Sequence, residues 1–403
     1  MFARRGLPEL DFSAYSCGMT VITDTAALAR FCARQQGASF IAVDTEFVRE
    51  RTYWPILCLV QVAGPIEAAA IDALAPGIDL EPLFALMTDE KVLKVFHAAR
   101  QDVEIFFNLT GGVPAPLFDT QIAAMVCGFG DAASYETLVS KLARAALDKS
   151  SRFTDWTQRP LTERQIHYAL ADVVHLRTVY EKLQERLASN GRAGWFAEEM
   201  AELTDPANYR NEPLEAWRRF RLRGRIDRRF LAVLRALAAW REEAAQQRNL
   251  PRGRILRDEA VVEIAAHVPK TIEALARTRS LPRGVAEGKL GREMLEAVRR
   301  GLADPDPPSL PTRLETPPGL GPLVELLRVL LKERCEAHQV AQRLVASAED
   351  LEMIAADDRA PVRALTGWRR AIFGEDALAL KHGRLALTAA GKQIRLVALP
   401  TGA

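Results

Sequence analysis

The chain has 403 residues, of which 48% are hydrophobic and 26% are charged, the balance of a folded globular protein rather than a disordered one. Its length predicts about two or three domains. No run reaches the ~18 apolar residues of a membrane-spanning helix, and the first residues lack the apolar core of a signal peptide. The five cysteines are odd in number and scattered, which argues against a disulfide framework and against structural zinc. We therefore expect a protein of the reducing cytoplasm, with no membrane and no disulfide-linked partner.

Charge is unevenly distributed along the chain. The formal net charge is only +2, yet residues 213–302 contain 21 Lys and Arg against 11 Asp and Glu, which gives +10 there and leaves −8 for the remainder. The chain is thus acidic in the part that contains the candidate catalytic acids and basic further on.

The first part of the chain has the pattern of an α/β domain. Residues 1–18 predict an irregular extension, with Met19 as an alternative start. Three strand-like runs in close succession predict an antiparallel meander, and helices then alternate with strands, which predicts parallel additions. The result is a mixed sheet with helices on both faces over residues 19–205. The predicted strands are 40–47, 56–62, 68–71, 92–96 and 117–118, and the predicted helices are 26–34, 80–87, 102–109, 120–127, 135–147 and 162–187.

The rest of the chain has a helical pattern. Apolar residues at helical spacing predict a first small all-α bundle over residues 213–303. Seven prolines in 304–322 predict a semi-rigid linker, and residues 323–403 predict a second, diverged helical bundle that ends in a hairpin. The predicted helices are 228–247, 258–266, 271–277 and 289–301 in the first bundle and 323–334, 347–355 and 367–371 in the second, and the hairpin strands are 385–388 and 394–399.

Two acids lie on the predicted strand at 40–47. Side chains alternate along a strand, so Asp44 and Glu46 share one face. Two carboxylates on one face repel each other unless a cation lies between them, which predicts a divalent metal ion. An edge strand with two solvated acids has the same pattern, so this pair alone leaves both interpretations open.

Further acids follow at two later places. Asp102 lies in the first turn of a helix, where the helix dipole stabilises an anion. Tyr168 and Asp172 are four residues apart and therefore lie on one face of a helix. Each of these features has an ordinary explanation by itself, as a first-turn acid or as a solvated pair. With the strand pair they can surround two Mg²⁺ or Mn²⁺ ions, because hard divalent cations prefer carboxylate oxygen and the sequence offers no Cys/His cluster.

Three segments resemble the exonuclease motifs of the DEDD superfamily in its tyrosine-bearing branch. They are Val43-Asp44-Thr45-Glu46-Phe47, His97-Ala98-Ala99-Arg100-Gln101-Asp102 and Tyr168-Ala169-Leu170-Ala171-Asp172. Residues 45–55, 118–121 and 155–161 narrow the resemblance to the bacterial ribonuclease D family. Residues 228–301 resemble the helicase-and-RNase-D C-terminal (HRDC) domain, with a second copy after the proline-rich linker. The resemblance covers roughly residues 19–375.

The resemblance implies a ribonuclease-H-like fold and 3′→5′ hydrolysis of RNA that releases nucleoside 5′-monophosphates. It implies structured RNA precursors as substrates, such as tRNA with a short 3′ extension. We also expect a monomer. The four acids Asp44, Glu46, Asp102 and Asp172 would hold or orient two metal ions, which activate a water and stabilise the scissile phosphate. Tyr168 would position that water rather than act as a strong base, since its ordinary pKa is about 10. A DNA 3′→5′ exonuclease and a catalytically inactive nucleic-acid-binding scaffold remain as alternatives.

The branch assignment depends on two neighbouring residues. His167 precedes Asp172 by five residues, the spacing of the histidine-bearing branch. In a continuous helix, a residue four positions away is about 40° off the same face, whereas one five positions away is about 140° off it. Helix geometry therefore favours Tyr168 facing the metals, with His167 pointing away.

Several residues are candidate substrate contacts. Thr45 and Phe47 flank the strand acids, and His97 follows a strand end from which it could reach a phosphate or the terminal ribose. Asp119 lies at a strand-to-helix junction, which favours a helix cap over a fifth metal ligand. A basic stretch with interleaved Trp217 and Phe220 has the phosphate attraction and stacking potential of an RNA-binding surface, although a solvated helix face has the same pattern. Its candidate contacts are Arg218, Arg219, Arg221 and Arg223.

Overall fold

The computed structural model describes residues 20–148, 154–222, 226–309, 317 and 319–400. The chain divides into two compact units: the first comprises residues up to 46, 59–205 and those from 314 onward, and the second comprises 47–58 and 206–313. The predicted extension 1–18 and the alternative start at Met19 lie outside the described residues. Within the described residues, no helix is both long and apolar enough to span a bilayer.

A six-stranded mixed sheet forms the centre of the first unit, as predicted. Its order is β1-β4-β3-β2-β5-β6. Pairs β1/β4, β2/β5 and β5/β6 are parallel, and β3/β4 is antiparallel. Because β2 lies between β3 and β5, the strand with the two acids is interior, which excludes the edge-strand interpretation. The strands are β1 (Thr20–Ile22), β2 (Phe40–Val48), β3 (Ile56–Ala63), β4 (Ala68–Asp72), β5 (Leu93–Phe96) and β6 (Leu117–Asp119).

Among the residues that the structure describes, seven α-helices belong to the sheet-containing part of this unit. They are α1 (Thr25–Gln35), α2 (Glu81–Thr88), α3 (Arg100–Thr110), α4 (Thr120–Val126), α5 (Tyr135–Leu138), α6 (Glu163–Ser189) and α7 (Ala193–Leu203). The helix predicted over 135–147 is longer than the observed one, so its predicted end is wrong. After α5 the chain forms one π-helical stretch, Val139–Ala143, and Arg144 then takes φ 53°. A residue in the left-handed region cannot continue a right-handed helix, so the element ends there.

Helix α6 has a well-defined start and a buried face. The hydroxyl of Thr162 accepts a hydrogen bond from the backbone N–H of Gln165, whose side chain in turn accepts one from the backbone N–H of Thr162. This capping box satisfies two backbone donors that would otherwise lack partners. Buried residues at helical spacing, Val173, Leu176 and Val179 among them, hold α6 against the core. The helix is therefore fixed both along its length and at the end where Tyr168 lies.

The C-terminal helices pack in the same unit as the sheet. Arg369, fully buried, donates to the carbonyl of Leu344 at 2.6 Å, to Glu198 at 2.6 Å and to Glu199. Trp195 and Trp368 stack with ring centroids 4.2 Å apart. These contacts join α7 to the last helices. The elements are α14 (Gly321–Ala337), α15 (Gln342–Val345), α16 (Ala348–Ala356), α17 (Gly367–Arg369) and α18 (Glu375–Lys381), followed by the hairpin β7 (Leu385–Ala390) and β8 (Gln393–Ala398).

The second unit is helical and is built on one long helix, α8. Gly301 of α13 lies against α8 so closely that a Cβ there would be 2.7 Å from the Cα of Val233. The segment 47–58 belongs to this unit: Asn249 accepts hydrogen bonds from the backbone N–H groups of Tyr53 and Trp54 at 3.1 and 3.0 Å. Its helices are α8 (Arg228–Arg248), α9 (Arg252–Ile255), α10 (Asp258–His267), α11 (Ile272–Leu275), α12 (Arg283–Glu287) and α13 (Lys289–Leu302).

Candidate active site

Three carboxylates from two elements meet at the centre of the first unit. Strand β2 contributes Asp44 and Glu46, which its alternation directs to the same side. Helix α6 contributes Asp172, and one carboxylate oxygen from each of the three lies within 4.8 Å of the others. An all-oxygen, all-anionic donor set of this kind is typical of sites for hard divalent cations. The residues therefore fit a divalent metal ion.

Tyr168 lies beside this group. Its hydroxyl donates a hydrogen bond to the carboxylate of Asp172, one helical turn further along α6. Tyr168, Asp172 and Asp44 line the same cavity, whose volume is about 410 Å³. His167 is not among the residues that line it, as expected for two neighbours about 100° apart around a helix.

Asp102 is placed differently from the other three acids. It is buried in the first turn of α3, and its carboxylate accepts a hydrogen bond from the hydroxyl of Thr45. The 4.8 Å group does not include it, although the charge of Asp44 acts on it. Thr45, predicted as a substrate contact, thus bonds to Asp102 from the strand that holds Asp44 and Glu46. The observed contact of Thr45 therefore orients the carboxylate of Asp102.

The carboxyl groups of the site have raised pKa values. Burial, and next the charge of Asp172, raise the pKa of Asp44 to about 8. Burial and the charge of Asp44 raise the pKa of Glu46 to about 9. Burial raises the pKa of Asp172 to about 7, although the hydrogen bond from Tyr168 lowers it. Burial, followed by the charge of Asp44, raises the pKa of Asp102 well above its usual range. Such mutual repulsion is what a bound divalent cation would relieve.

A strained turn brings His97 into the cavity wall. Ala98, which follows it, has φ 59°, a conformation that costs a residue with a Cβ about 1–2 kcal/mol. The carboxylate of Asp119 holds this turn by accepting hydrogen bonds from the N–H groups of Ala98 and Ala99 at 3.2 and 2.8 Å. The same carboxylate caps α4 through the N–H groups of Gln121 and Ile122, at 2.7 and 3.2 Å. Asp119 is therefore a helix cap, as predicted.

Hydrogen bonding also determines which nitrogen of His97 carries the proton. The hydroxyl of Thr120 donates its single proton to the carbonyl oxygen of Phe96 at 3.0 Å. The contact of 3.0 Å between this hydroxyl and Nδ1 of His97 must therefore have the imidazole as donor. Burial lowers the pKa of His97, although the charge of Asp119 raises it, and the lowered pKa favours the neutral ring. Nε2 is then left as a hydrogen-bond acceptor on a ring that lines the cavity.

The cavity wall includes residues that the sequence patterns did not single out. Tyr135, at the start of α5, donates its hydroxyl to the carbonyl oxygen of Ala171 at 3.2 Å, directly before Asp172. Its ring centroid lies 5.5 Å from that of His97. Gln121, Ser134 and Glu136 also line the cavity. Gln121 belongs to a stretch that carried the family resemblance, but Tyr135 has no motif that would have marked it.

The predicted arginine contacts have different surroundings. Arg219 is engaged within its own unit, with Glu242 at 3.3 Å and Asn211 at 2.9 Å. Arg218 and Arg221 are exposed, and Arg223 lies outside the described residues. Trp217, predicted to stack on bases, is only 3% exposed because it packs in the core of the second unit, so that part of the prediction is wrong. Phe47 is half-buried and belongs to the second unit.

Comparison with known proteins agrees with this geometry. Residues 19–188 match a family model described as 3′-5′ exonuclease, and residues 230–298 match the HRDC domain. The chain is 51% identical to a protein named Ribonuclease D from Granulibacter bethesdensis over 94% of this chain and 96% of the relative. It is 53% identical to one of the same name from Gluconacetobacter diazotrophicus, again over 94% and 96%. The crystal structure of Escherichia coli RNase D, described as an exoribonuclease involved in structured RNA processing, superposes with a TM-score of 0.77 at 30% identity, over 91% of this chain and 99% of that one.

Proposed function

The chain belongs to the ribonuclease D family and is a 3′→5′ exoribonuclease, and we propose that it trims the 3′ ends of structured RNA precursors, tRNA among them. The products would be nucleoside 5′-monophosphates. The observation that carries this proposal is the group of three carboxylates, Asp44, Glu46 and Asp172, two of which, Asp44 and Asp172, line one cavity together with Tyr168. The similarity to the E. coli enzyme supports structured RNA as the substrate class. Cytoplasmic location and a monomeric state stay predictions.

The acidic group and the family both fit the use of divalent metal ions. We propose two ions, Mg²⁺ or Mn²⁺, held by Asp44, Glu46 and Asp172 and supported by Asp102. When bound, such ions supply an activated water and stabilise the charge that develops on the scissile phosphate and the departing 3′-oxygen. The hydrogen bond from Thr45 keeps the carboxylate of Asp102 oriented next to this group. The protein thus contributes a set of carboxylates in fixed positions.

Tyr168 is proposed to position the attacking water. Its hydroxyl proton is directed at Asp172, so the oxygen lone pairs face away from that carboxylate and can accept a hydrogen bond from a water in the cavity. A phenol with an ordinary pKa of about 10 is a poor base at neutral pH. Its contribution is therefore orientation of the nucleophile.

His97 is proposed to contact the terminal ribose rather than a phosphate. A neutral imidazole with an unprotonated Nε2 can accept a hydrogen bond from a hydroxyl group but has no charge with which to attract a phosphate. The 2′-hydroxyl is the group that distinguishes RNA from DNA. This gives the site a means of preferring RNA. Thr45 and Phe47 remain predicted substrate contacts.

We expect His97→Ala to reduce discrimination at the 3′-terminal sugar. The measurement is kcat/KM on two matched oligonucleotides, one all-ribose and one with a single 2′-deoxyribose at its 3′ end. A lost hydrogen bond of about 1–1.5 kcal/mol corresponds to a preference of roughly tenfold, which the variant should lose. Gln121→Ala, at another residue of the cavity wall, serves as the control and should keep the preference. If His97→Ala keeps it too, the ribose contact is wrong.

Arg218 and Arg221 are proposed to attract the RNA backbone. Both are exposed, and the partner of Arg218, Glu215, is itself exposed, so the guanidinium groups can exchange to phosphates. Arg219 is left out of the test because its reversal would break its contacts with Glu242 and Asn211. Arg218 and Arg221 are therefore the two positions chosen for the test.

The double variant Arg218→Glu, Arg221→Glu is expected to bind RNA more weakly and with a flatter salt dependence. Each phosphate contact to a single strand adds about 0.7 to the slope of log K against log salt, so losing two should lower it by about 1.4. Binding is measured by fluorescence anisotropy from low to high salt. Arg283→Glu, at an exposed arginine paired with Glu287 in the same unit, is the control. An unchanged slope in the double variant would exclude the two contacts.

The substrate class is tested by comparing three nucleic acids with matched 3′-terminal sequences. We expect the enzyme with Mg²⁺ or Mn²⁺ to shorten a tRNA with a short 3′ extension and an unpaired RNA, and to act more slowly on DNA of the same sequence. Preferential degradation of the DNA would instead favour the DNA-exonuclease alternative. Failure to act on any of the three, under conditions in which the protein is folded, would favour the inactive scaffold.

A further inference from the structure

The stretch 155–161, part of the resemblance to ribonuclease D, contains an arginine with an unusually complete set of partners. Arg159 forms a two-pronged ion pair with Asp72, with Nε 2.7 Å from Oδ2 and Nη2 2.6 Å from Oδ1. Its Nη1 donates to the carbonyl oxygens of Trp156 at 2.7 Å and Gln158 at 2.8 Å. One guanidinium therefore ties the loop around Trp156 to a single carboxylate of the sheet.

That carboxylate is a rigid point of attachment. Asp72 is the last residue of β4 and is 5% exposed. Its Oδ1 also accepts a hydrogen bond from the N–H of Leu74 at 2.9 Å, which restrains the carboxylate independently of the arginine. Two parallel charge-assisted hydrogen bonds from a planar guanidinium fix both its distance from the carboxylate and its orientation relative to it. The loop is consequently held in one position relative to the sheet.

The held loop places an aromatic wall beside Tyr168. Trp156 is 4% exposed, and its ring centroid lies 6.2 Å from that of Tyr168 at an interplanar angle of 38°. The loop also contacts the start of α6, where the hydroxyl of Thr154 accepts a hydrogen bond from Nε2 of Gln165 at 3.1 Å. Tyr168 thus lies between the helix that carries it and a tryptophan whose backbone is held by Arg159.

We propose that Asp72, Arg159 and Trp156 are positioning residues for Tyr168, and that they act on hydrolysis only through the placement of its hydroxyl. This inference rests on the role proposed above for Tyr168. A displacement of about 1 Å in a reacting group can cost about a hundredfold in rate. We call these three residues the clamp. Disrupting the clamp should lower kcat while leaving KM nearly unchanged, since none of the three residues lines the cavity.

The test is a double-mutant cycle between the clamp and the tyrosine. In the parent enzyme, Arg159→Met is expected to lower kcat about tenfold to a hundredfold on a single-stranded RNA, with Arg159→Lys giving a smaller loss because the charge stays but the two-pronged geometry is lost. In the Tyr168→Phe background, where no hydroxyl remains to be positioned, Arg159→Met should change kcat by less than about twofold. Trp156→Phe keeps an aromatic ring and leaves the Arg159–Asp72 ion pair intact. A second double-mutant cycle with this variant should show the same dependence on the Tyr168 hydroxyl.

A second ion pair in the same unit provides the control. Arg34 also makes a two-pronged contact with a carboxylate, that of Glu67, which directly precedes β4. Arg34→Met should leave kcat unchanged in both backgrounds. Equal losses for Arg159→Met with and without the Tyr168 hydroxyl would overturn the inference while leaving the role of Tyr168 intact. Full activity of Tyr168→Phe itself would overturn that role and this inference together, and hydrolysis of RNA by the parent enzyme would still support the proposed function.

Discussion

Asp44→Asn is expected to lower RNA hydrolysis about a thousandfold or more. The variant keeps the shape of the side chain but removes one of the three anionic oxygen donors that lie within 4.8 Å of each other. Loss of a group that holds charge-stabilising ions removes transition-state stabilisation directly. The measurement is the single-turnover rate of 3′ shortening at saturating Mn²⁺ or Mg²⁺.

The same substitution is expected to stabilise the metal-free fold at pH 8. The pKa of Asp44 is raised to about 8 in the folded protein, above the ordinary value near 4 of an unfolded aspartate. Between these values the folded state binds more protons than the unfolded state, so this carboxyl lowers the free energy of unfolding as pH rises from about 4 to about 8. Because an asparagine does not titrate, the variant does not lose this part of the free energy of unfolding as pH rises. In chelator, the melting temperature of Asp44→Asn should exceed that of the parent at pH 8, and the difference should shrink toward pH 5.

The matched control is Glu181→Gln, which removes an exposed carboxylate from α6, nine residues beyond Asp172. It should change neither hydrolysis nor the pH dependence of melting. A variant Asp44→Asn that retains substantial activity would contradict its role in holding the metal ions. A fall in its melting temperature at pH 8 would contradict the electrostatic description of the cluster.

Tyr168→Phe is expected to reduce turnover about a hundredfold with little change in KM. The substitution removes only the hydroxyl that bonds to Asp172 and faces the cavity, and it keeps the ring that packs beside Trp156. His167→Ala should leave most of the activity, because His167 does not line the cavity. Steady-state kinetics on one RNA oligonucleotide compare the two. The opposite ranking would assign the water-positioning role to the histidine and place the chain in the other branch.

Much of the site could be predicted because its acids lie on regular elements. Strand alternation placed Asp44 and Glu46 on one face, and helix spacing placed Tyr168 with Asp172 on one side of α6. The mixed sheet followed from the alternation of strands and helices, although the three-residue β1 was too short to give a pattern. These features depend on local periodicity, which a sequence displays directly.

Other features depend on contacts between distant residues. The hydroxyl of Thr45 bonds to a carboxylate 57 residues away, and Arg159 pairs with Asp72 across 87 residues. No local pattern encodes such partners. Burial was likewise misjudged at Trp217, since an aromatic residue between arginines has the same pattern whether it stacks on bases or packs in a core. The helix predicted over 135–147 ended early because of one residue, Arg144, in a left-handed conformation.

The most direct test of the central claim is the fate of labelled RNA with and without divalent metal. The RNA is labelled at its 5′ end in one reaction and in its 3′-terminal nucleotide in another, and the products are resolved by gel and thin-layer chromatography. The proposed function predicts a ladder of 5′-labelled products shortened one nucleotide at a time and release of the 3′ label as a nucleoside 5′-monophosphate, both abolished by chelator and restored by Mg²⁺ or Mn²⁺. Internal fragments, or shortening that survives complete chelation, would contradict it.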